Sequence, residues 1–274
     1  MSDLARRTGP VGRVRVVEDD ESGEHVREDV VVAEEPLEIR LSWPGAATQR
    51  AWVTMRTPGH DFDLAAGWVL HEGLVRLAAV AGVAYCTDAE LSPAQEFNVV
   101  TVTASEAVDL VHRHAALSSG SSACGVCGKD SVDAALTTVR GPRWQGPQPL
   151  PDVVRRLPAL LREEQDVFGR TGGVHAAGLF SADGDPYVVR EDVGRHNAVD
   201  KVTGARVLAG ESPAVAYLVV SGRAGFELVQ KAVAAGVGSL VAVGAPTSLA
   251  VHLVCEAELG LFGFTSDRRT VRYA

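Results

Sequence analysis

A doubled pattern near the end of the chain constrains the fold most. Residues 215–220 form an apolar run, followed by the loop Ser221-Gly222-Arg223-Ala224-Gly225 and a helical segment over 226–235. Residues 239–243 are a second apolar run, then come Gly244-Ala245-Pro246-Thr247-Ser248 and a helix through Cys255. Such runs read as buried strands, and strand, glycine loop and helix in tandem indicate α/β layering. A last strand at 271–273 closes the sheet.

Upstream of this pattern the chain reads in smaller pieces. The first twelve residues form a loose tail. Val14 and Val16, then residues 30–32, then Leu37, Ile39 and Leu41 mark short strands, with acidic residues 18–24 as a solvated turn. Ala51, Val53 and Met55 mark a strand ending at Thr57-Pro58-Gly59. Asp61 or Asp63 caps a helix carrying Leu64, Ala65, Trp68 and Val69, closed near Gly73. Short strands at 83–86 and 97–102 and a helix at 107–116 complete an α+β unit over 13–117. Residues 118–150 hold a cysteine-bearing loop, a helix with Val132, Ala135, Leu136 and Val139 on one face, and a linker at 141–149. The rest, 151–274, is the α/β domain. There Asp152 caps a helix running toward Phe168, with Pro158 as kink or restart. A hairpin turns at Ala182-Asp183-Gly184-Asp185, and Asn197 caps a helix through Val199, Val202 and Leu208.

Bulk properties exclude several classes. Aromatic residues are only 5%, so Val, Ala and Leu supply the core of this 274-residue chain. A net charge of −9 argues against a general nucleic-acid binder, although a local basic pocket for one phosphorylated ligand stays open. No apolar run reaches the length of a membrane span, and residues 1–14 lack an apolar signal segment. Four cysteines (Cys86, Cys124, Cys127 and Cys255) do not make a disulfide scaffold at this length. The expectation is a soluble protein of the reducing cytoplasm.

Chemistry concentrates in Cys124-Gly125-Val126-Cys127-Gly128-Lys129, inside a serine- and glycine-rich run. A closed zinc site needs four ligands, and one pair is here; His112 and His114 lie on a different helix. Redox motifs usually place an aromatic residue or proline between the cysteines, and here stand Gly125 and Val126. A persulfide carrier needs an accessible thiolate on a mobile loop, which the glycines, a helix N-terminus and Lys129 favour. Chance proximity is the fourth reading. Cys86 and Cys255, in apolar patterns, read as small core residues.

The two glycine loops lie between strand and helix, where backbone N–H groups and a positive helix end suit phosphate. Neither is a Walker A or GxGxxG loop, and each could equally be an ordinary tight turn. Residues 190–201 pack many polar groups where a hairpin ends and a helix begins. There Arg195 and Lys201 are candidates for holding an anion, and Glu191 or Asp192 for accepting hydrogen bonds from a base or ribose. Thr171-Gly172-Gly173-Val174-His175 is a similar turn, with His175 as a ligand contact or a buried structural histidine.

Several of these segments, in order, resemble the FdhD family of formate dehydrogenase accessory sulfurtransferases. They are residues 124–129, 171–177, 191–201 and 221–223, together with Arg56-Thr57-Pro58-Gly59-His60-Asp61, Ala66-Gly67 and residues 244–250. The resemblance implies a cytidine deaminase-like three-layer α/β domain, a smaller N-terminal α+β subdomain and a homodimer. It implies that sulfur arrives as a persulfide from a cysteine desulfurase, on Cys124 with Cys127 assisting. It then passes to the bis(molybdopterin guanine dinucleotide) molybdenum cofactor before insertion into formate dehydrogenase. The guanine dinucleotide, mimicked by GDP, would contact His175, Asp192, Arg195, Ser221, Arg223 and Pro246. It would also contact the segment Phe264, Thr265, Ser266, Asp267, Arg268 and Arg269. Ser266 stands where the family often has arginine, with Arg268 or Arg269 as substitute. The alternative is a cofactor-binding chaperone with structural or zinc-bound cysteines. Zinc deamination is rejected, because His175 is followed by Ala176-Ala177 and Ala123 precedes Cys124, so the required glutamate and proline are missing.

Overall fold

The structure, a computed structural model, describes residues 8–87, 91–92, 95–110, 142–147 and 149–274. Cys124 and Cys127, the helix expected after them and most of the helix expected at 107–116 lie outside the described residues. Residues 107–110 have no regular structure.

Three sheets organise a mixed α/β chain. Strands β1 (Val11–Asp20) and β2 (Gly23–Val32) pair antiparallel into a long ribbon. The acidic residues expected in a broad turn are mostly strand residues, with Glu18 opposite His25 and Asp19 opposite Glu24. The strands tolerate them because this part of the ribbon is exposed. Strands β3 (Glu35–Ser42), β4 (Gln49–Arg56), β5 (Val80–Tyr85) and β6 (Val99–Ala104) form the second sheet, ordered β4-β3-β6-β5. Helix α1 (Asp61–His71) lies in the same core, where Leu64, Ala65, Trp68 and Val69 meet Leu37, Ile39, Val100 and Val102. Trp68 stacks on Trp52 with centroids 4.9 Å apart. Neither aspartate caps α1. The N-cap is His60, in the left-handed region at φ 56°, and the Asp61 carboxylate holds Arg56 instead.

The third sheet is ordered β12-β11-β10-β9-β7-β8. Its members are β7 (His175–Phe180), β8 (Pro186–Asp192), β9 (Tyr217–Val220), β10 (Ser239–Ala242), β11 (Gly260–Gly263) and β12 (Val271–Arg272). Helices α2 (Pro151–Glu163) and α3 (Asp166–Thr171) precede it; α4 (Arg195–Leu208), α5 (Phe226–Ala235) and α6 (Ser248–Ala257) alternate with its strands. Val199, Val202, Leu228 and Val254 pack with Leu218, Leu240 and Leu261 on one face. Val154, Leu157 and Leu161 of α2 pack with Phe180, Val219, Val241 and Phe262 on the other. The run at 215–220 is thus covered, with strands β9 and β10 packed on both sides, while Val243 at the end of the second run is exposed. Strand β11 was not foreseen because four residues that begin and end with glycine show no pattern of their own.

Two expected caps are replaced. Leu150 is the N-cap of α2 and Pro151 opens it, leaving Asp152 in the first turn. That helix continues through Pro158 and ends at Glu163, before α3 begins. Gly194 precedes α4, and Asn197 points its amide elsewhere, as described below. The segment 142–147 has no regular structure and is tied down. The Trp144 N–H donates to the Gly236 carbonyl at 2.8 Å.

The second and third sheets meet through α1 and α4. A Cβ on Gly67 would lie 1.9 Å from the Asp200 carbonyl oxygen, and one on Gly204 would lie 1.8 Å from that of Asp63. Only glycine permits this reciprocal backbone approach.

Candidate functional site

Strand direction decides where the site lies. Strands β9, β10 and β11 are parallel, β7 runs against β9, and β8 runs against β7. The carboxyl ends of β8, β9, β10 and β11 therefore share one edge with the start of β7. This edge gathers His175, Asp192, the Ser221 loop, the Gly244 loop and the turn after Gly263. In open α/β sheets ligands collect at such an edge.

The loops there are knit to one another. Gly244 N–H donates to the Gly222 carbonyl, Thr247 N–H to Ala224, and Phe264 N–H to Gly244. Helices α4, α5 and α6 all start at this edge. The N-caps of α4 and α5 are glycines and supply no side-chain cap, while Thr247 caps α6 by accepting from Ala250 N–H. Three helix N-termini directed to one edge make it electropositive and rich in N–H donors, despite the acidic chain.

A cavity of about 680 Å³ opens at this edge. Its floor and rim include His175, Ser221, Thr265, Ser266 and Asp267. Its far wall, formed by the end of α2 and the start of α3, carries Leu161, Arg162, Gln165 and Phe168. The Arg162 guanidinium lies 4.4 Å over the Phe168 ring. Ser221 Oγ accepts from Ala176 N–H at 2.9 Å, which fixes the hydroxyl at the mouth. Burial, then Arg195 and His196, hold the His175 imidazole below its usual range against the opposing pull of Asp192. It is therefore neutral at neutral pH. The turn that closes the rim has Phe264 at φ 49°. Ser266 N–H donates to the Arg269 carbonyl at 2.8 Å, and the Arg269 guanidinium returns to within 5.4 Å of the Phe264 ring. Thr265 is buried, with Oγ1 3.0 Å from Thr270 Oγ1. Arg195, Arg223 and Arg268 are exposed, and Pro246 lies in the loop bridged to Ala224.

The polar residues at 191–201 do not all face the cavity. The Asp192 side chain is fully buried and 2.7 Å from Lys201 Nζ. It also accepts from Thr57 N–H, Gly194 N–H and Asn197 Nδ2. Asp192, expected against the ligand, is therefore taken up inside the protein. Lys201, expected to hold an anion, is 1% exposed and donates to the Thr57 carbonyl at 2.9 Å. Glu191 is likewise engaged, since its two oxygens accept Val167 and Phe168 N–H at 2.8 Å each. Asn197 donates to the Met55 carbonyl at 2.8 Å. Asp192, Asn197 and Lys201 thus bind the stretch from Met55 to Thr57 of the second sheet to the edge of the third, while Glu191 holds the start of α3. Arg56 in turn pairs with Asp61, which also accepts from the Tyr85 hydroxyl at 2.8 Å.

A second buried polar group went unnoticed in the sequence. Between α1, α4 and α5, His71 Nδ1 lies 2.5 Å and Lys231 Nζ 2.6 Å from Asp200 Oδ1. Only its carboxylate lies within a motif singled out above. The α2–α3 wall was missed too, and its one available signal was the scarcity of aromatic residues, which makes Phe168 worth placing.

The remaining cysteines differ from expectation. Cys86 is half-buried with Arg40 Nη1 3.6 Å from its sulfur. Cys255 is exposed rather than in the core. It sits on the outer side of α6 and lines a smaller cavity of about 340 Å³ at the amino ends of β9–β11. Among the described residues no helix is long and apolar enough to cross a membrane, and no cluster of three or more metal-ligating side chains occurs.

Known proteins agree with this architecture. A crystal structure of a formate dehydrogenase accessory protein from Desulfotalea psychrophila superposes with a TM-score of 0.70, covering 96% of each chain at 20% identity. The sulfur carrier protein FdhD of Nocardia farcinica is 48% identical over 255 residues, spanning 92% of this chain and 88% of its own. That of Streptomyces coelicolor is 47% identical over 245 residues, spanning 87% and 84%. The model of the FdhD/NarQ family matches residues 32–274. With that match covering both the seam and the cavity edge, the chain belongs to the FdhD/NarQ family.

Proposed function

We propose that this chain is a cytoplasmic sulfur carrier that sulfurates the bis(molybdopterin guanine dinucleotide) molybdenum cofactor before it enters formate dehydrogenase. Family membership supports the carrier role. The observation that carries the acceptor site is a cavity at the carboxyl edge of the sheet, the same edge at which three helices begin. A polyanionic dinucleotide suits that edge, and an apolar-walled cavity of this size suits its flat ring system. We read the layered C-terminal region as cytidine deaminase-like, and the working form as a homodimer.

In the first transfer, the Cys124 thiolate attacks the outer sulfur of a desulfurase persulfide. The donor's S–S bond breaks, its cysteine leaves as thiolate, and a new S–S bond forms on Cys124. Cys127 assists by attacking Cys124 Sγ. The bond from Cys124 to the outer sulfur breaks, a Cys124–Cys127 disulfide forms, and the outer sulfur leaves at the sulfide level for the molybdenum substrate. A cellular dithiol reduces the disulfide afterwards. At the acceptor edge His175, Ser221, Arg195, Arg223, Pro246 and the turn from Phe264 to Arg269 meet the guanine dinucleotide. Arg269, returned over Phe264, serves as the cation that Ser266 does not supply. Asp192 acts as a positioning residue beneath them.

Incubation with a cysteine desulfurase and cysteine should add one sulfur atom to the tryptic peptide bearing Cys124. Absence of added sulfur on both Cys124 and Cys127 would refute the carrier assignment. GDP should raise the melting temperature, and no shift at saturation would remove the nucleotide assignment. Cells carrying Cys124→Ala should lose formate dehydrogenase activity.

A further inference from the structure

Building on the nucleotide reading of this edge, we infer that the α2–α3 wall holds the flat heterocycle of the ligand, with its phosphates on the glycine loops. The amide of Gln165 reads the edge of the ring. Gln165 occupies the N-cap position of α3, yet its side chain does not cap that helix. Glu191 has taken the role by accepting Val167 and Phe168 N–H. The Gln165 amide is thereby released from the usual work of its position.

Gln165 is 6% exposed and lines the cavity. Its side chain makes no hydrogen bond among the described residues, and its polar atoms are not among those wholly enclosed. What opening they have is the cavity. The amide keeps its N–H donors and its carbonyl acceptor for whatever occupies the cavity. Its natural complement is a ring edge with a donor beside an acceptor, as in purines and pterins. Phe168 and the guanidinium of Arg162 stack beside it, a shelf that suits the face of such a ring. Pro158, Ala159 and Leu161 make the same wall apolar. Across the cavity Ser221, Thr265 and Ser266 line the other side without a comparable shelf, and Arg223 lies exposed in the loop that follows Ser221. Ring and phosphate therefore have separate seats, and the ligand has one orientation.

The test compares GDP with inorganic pyrophosphate by calorimetry on the full chain. In the wild type GDP should bind more tightly than pyrophosphate. Gln165→Leu and Phe168→Ala should each weaken GDP by about tenfold, the scale of one lost recognition contact, and leave pyrophosphate unchanged. Arg223→Ala should weaken both. Gln165→Met, unbranched and of similar length, serves if the leucine variant folds poorly. GDP bound equally by the wild type and both Gln165 variants would overturn the ring seat while leaving the nucleotide reading intact. If neither probe binds the wild type, the nucleotide reading falls and the ring seat with it.

Discussion

The seam between the second and third sheets and the cavity edge are built from the same kinds of residue, in places from adjacent positions. At the seam, Arg56, Asp61, Asp192, Asn197 and Lys201 are buried, and each has charged or backbone partners within the protein. A few residues away, Arg195 and Arg223 are exposed, and the His175 ring makes no hydrogen bond among the described residues. Saturation separates the two regions, and polarity does not. A side chain with its hydrogen bonds filled from inside holds the fold, while one facing water with capacity to spare is free to hold a ligand.

The largest effect should come from cutting the seam. Asp192→Ala leaves the Lys201 ammonium buried without its carboxylate, which costs about 3–5 kcal/mol and should show as a lower urea midpoint. A midpoint near the wild-type value would mean that the seam does not clamp the sheets. Gly204→Ala should cost about 1–3 kcal/mol by forcing α1 and α4 apart, read in the same titration.

Acid should act next. Burial pushes the His71 imidazole below its ordinary value of 6.5, outweighing the opposing pull of Asp200. Burial raises the Asp200 carboxyl, but Lys231 and His71 more than reverse this, so it falls below its ordinary 3.8. Both groups bind protons more readily in the unfolded chain. Their contribution is therefore full above pH 6.5 and is lost as pH falls, first through His71 and then, below about 4, through Asp200. Stability should be lower at pH 5 than at pH 7, and His71→Gln should flatten this step. At the cavity edge Arg223→Ala should change stability by no more than about 0.5 kcal/mol while weakening GDP severalfold. A loss of stability comparable to that of Asp192→Ala would erase the contrast between the two regions.

Periodicity made the α/β layering legible, since the strands at 217–220 and 239–242 are buried throughout. Helix α5 lies over 226–235 as expected. Caps were harder to read, because a carboxylate near a helix start is also a partner for any nearby cation, and Arg56 claimed Asp61. The stretch from 191 to 201 was recognised as dense in chemistry. Its division between seam and edge was not legible, since that depends on Met55 and Thr57, more than 130 residues away in the chain. Gln165 gave no signal, because its significance lies in a cap supplied by Glu191 from another strand.

The paired glycines of α1 and α4 also limit motion. Two helices whose backbones touch have no layer of side chains between them to slide or repack, and the seam beside them is locked by buried ions. The second and third sheets should therefore breathe as one body, with amides of both cores exchanging hydrogen at a common rate. A ligand at the edge meets a preformed surface rather than a closing jaw, so little of its binding energy is spent on bending the protein around it.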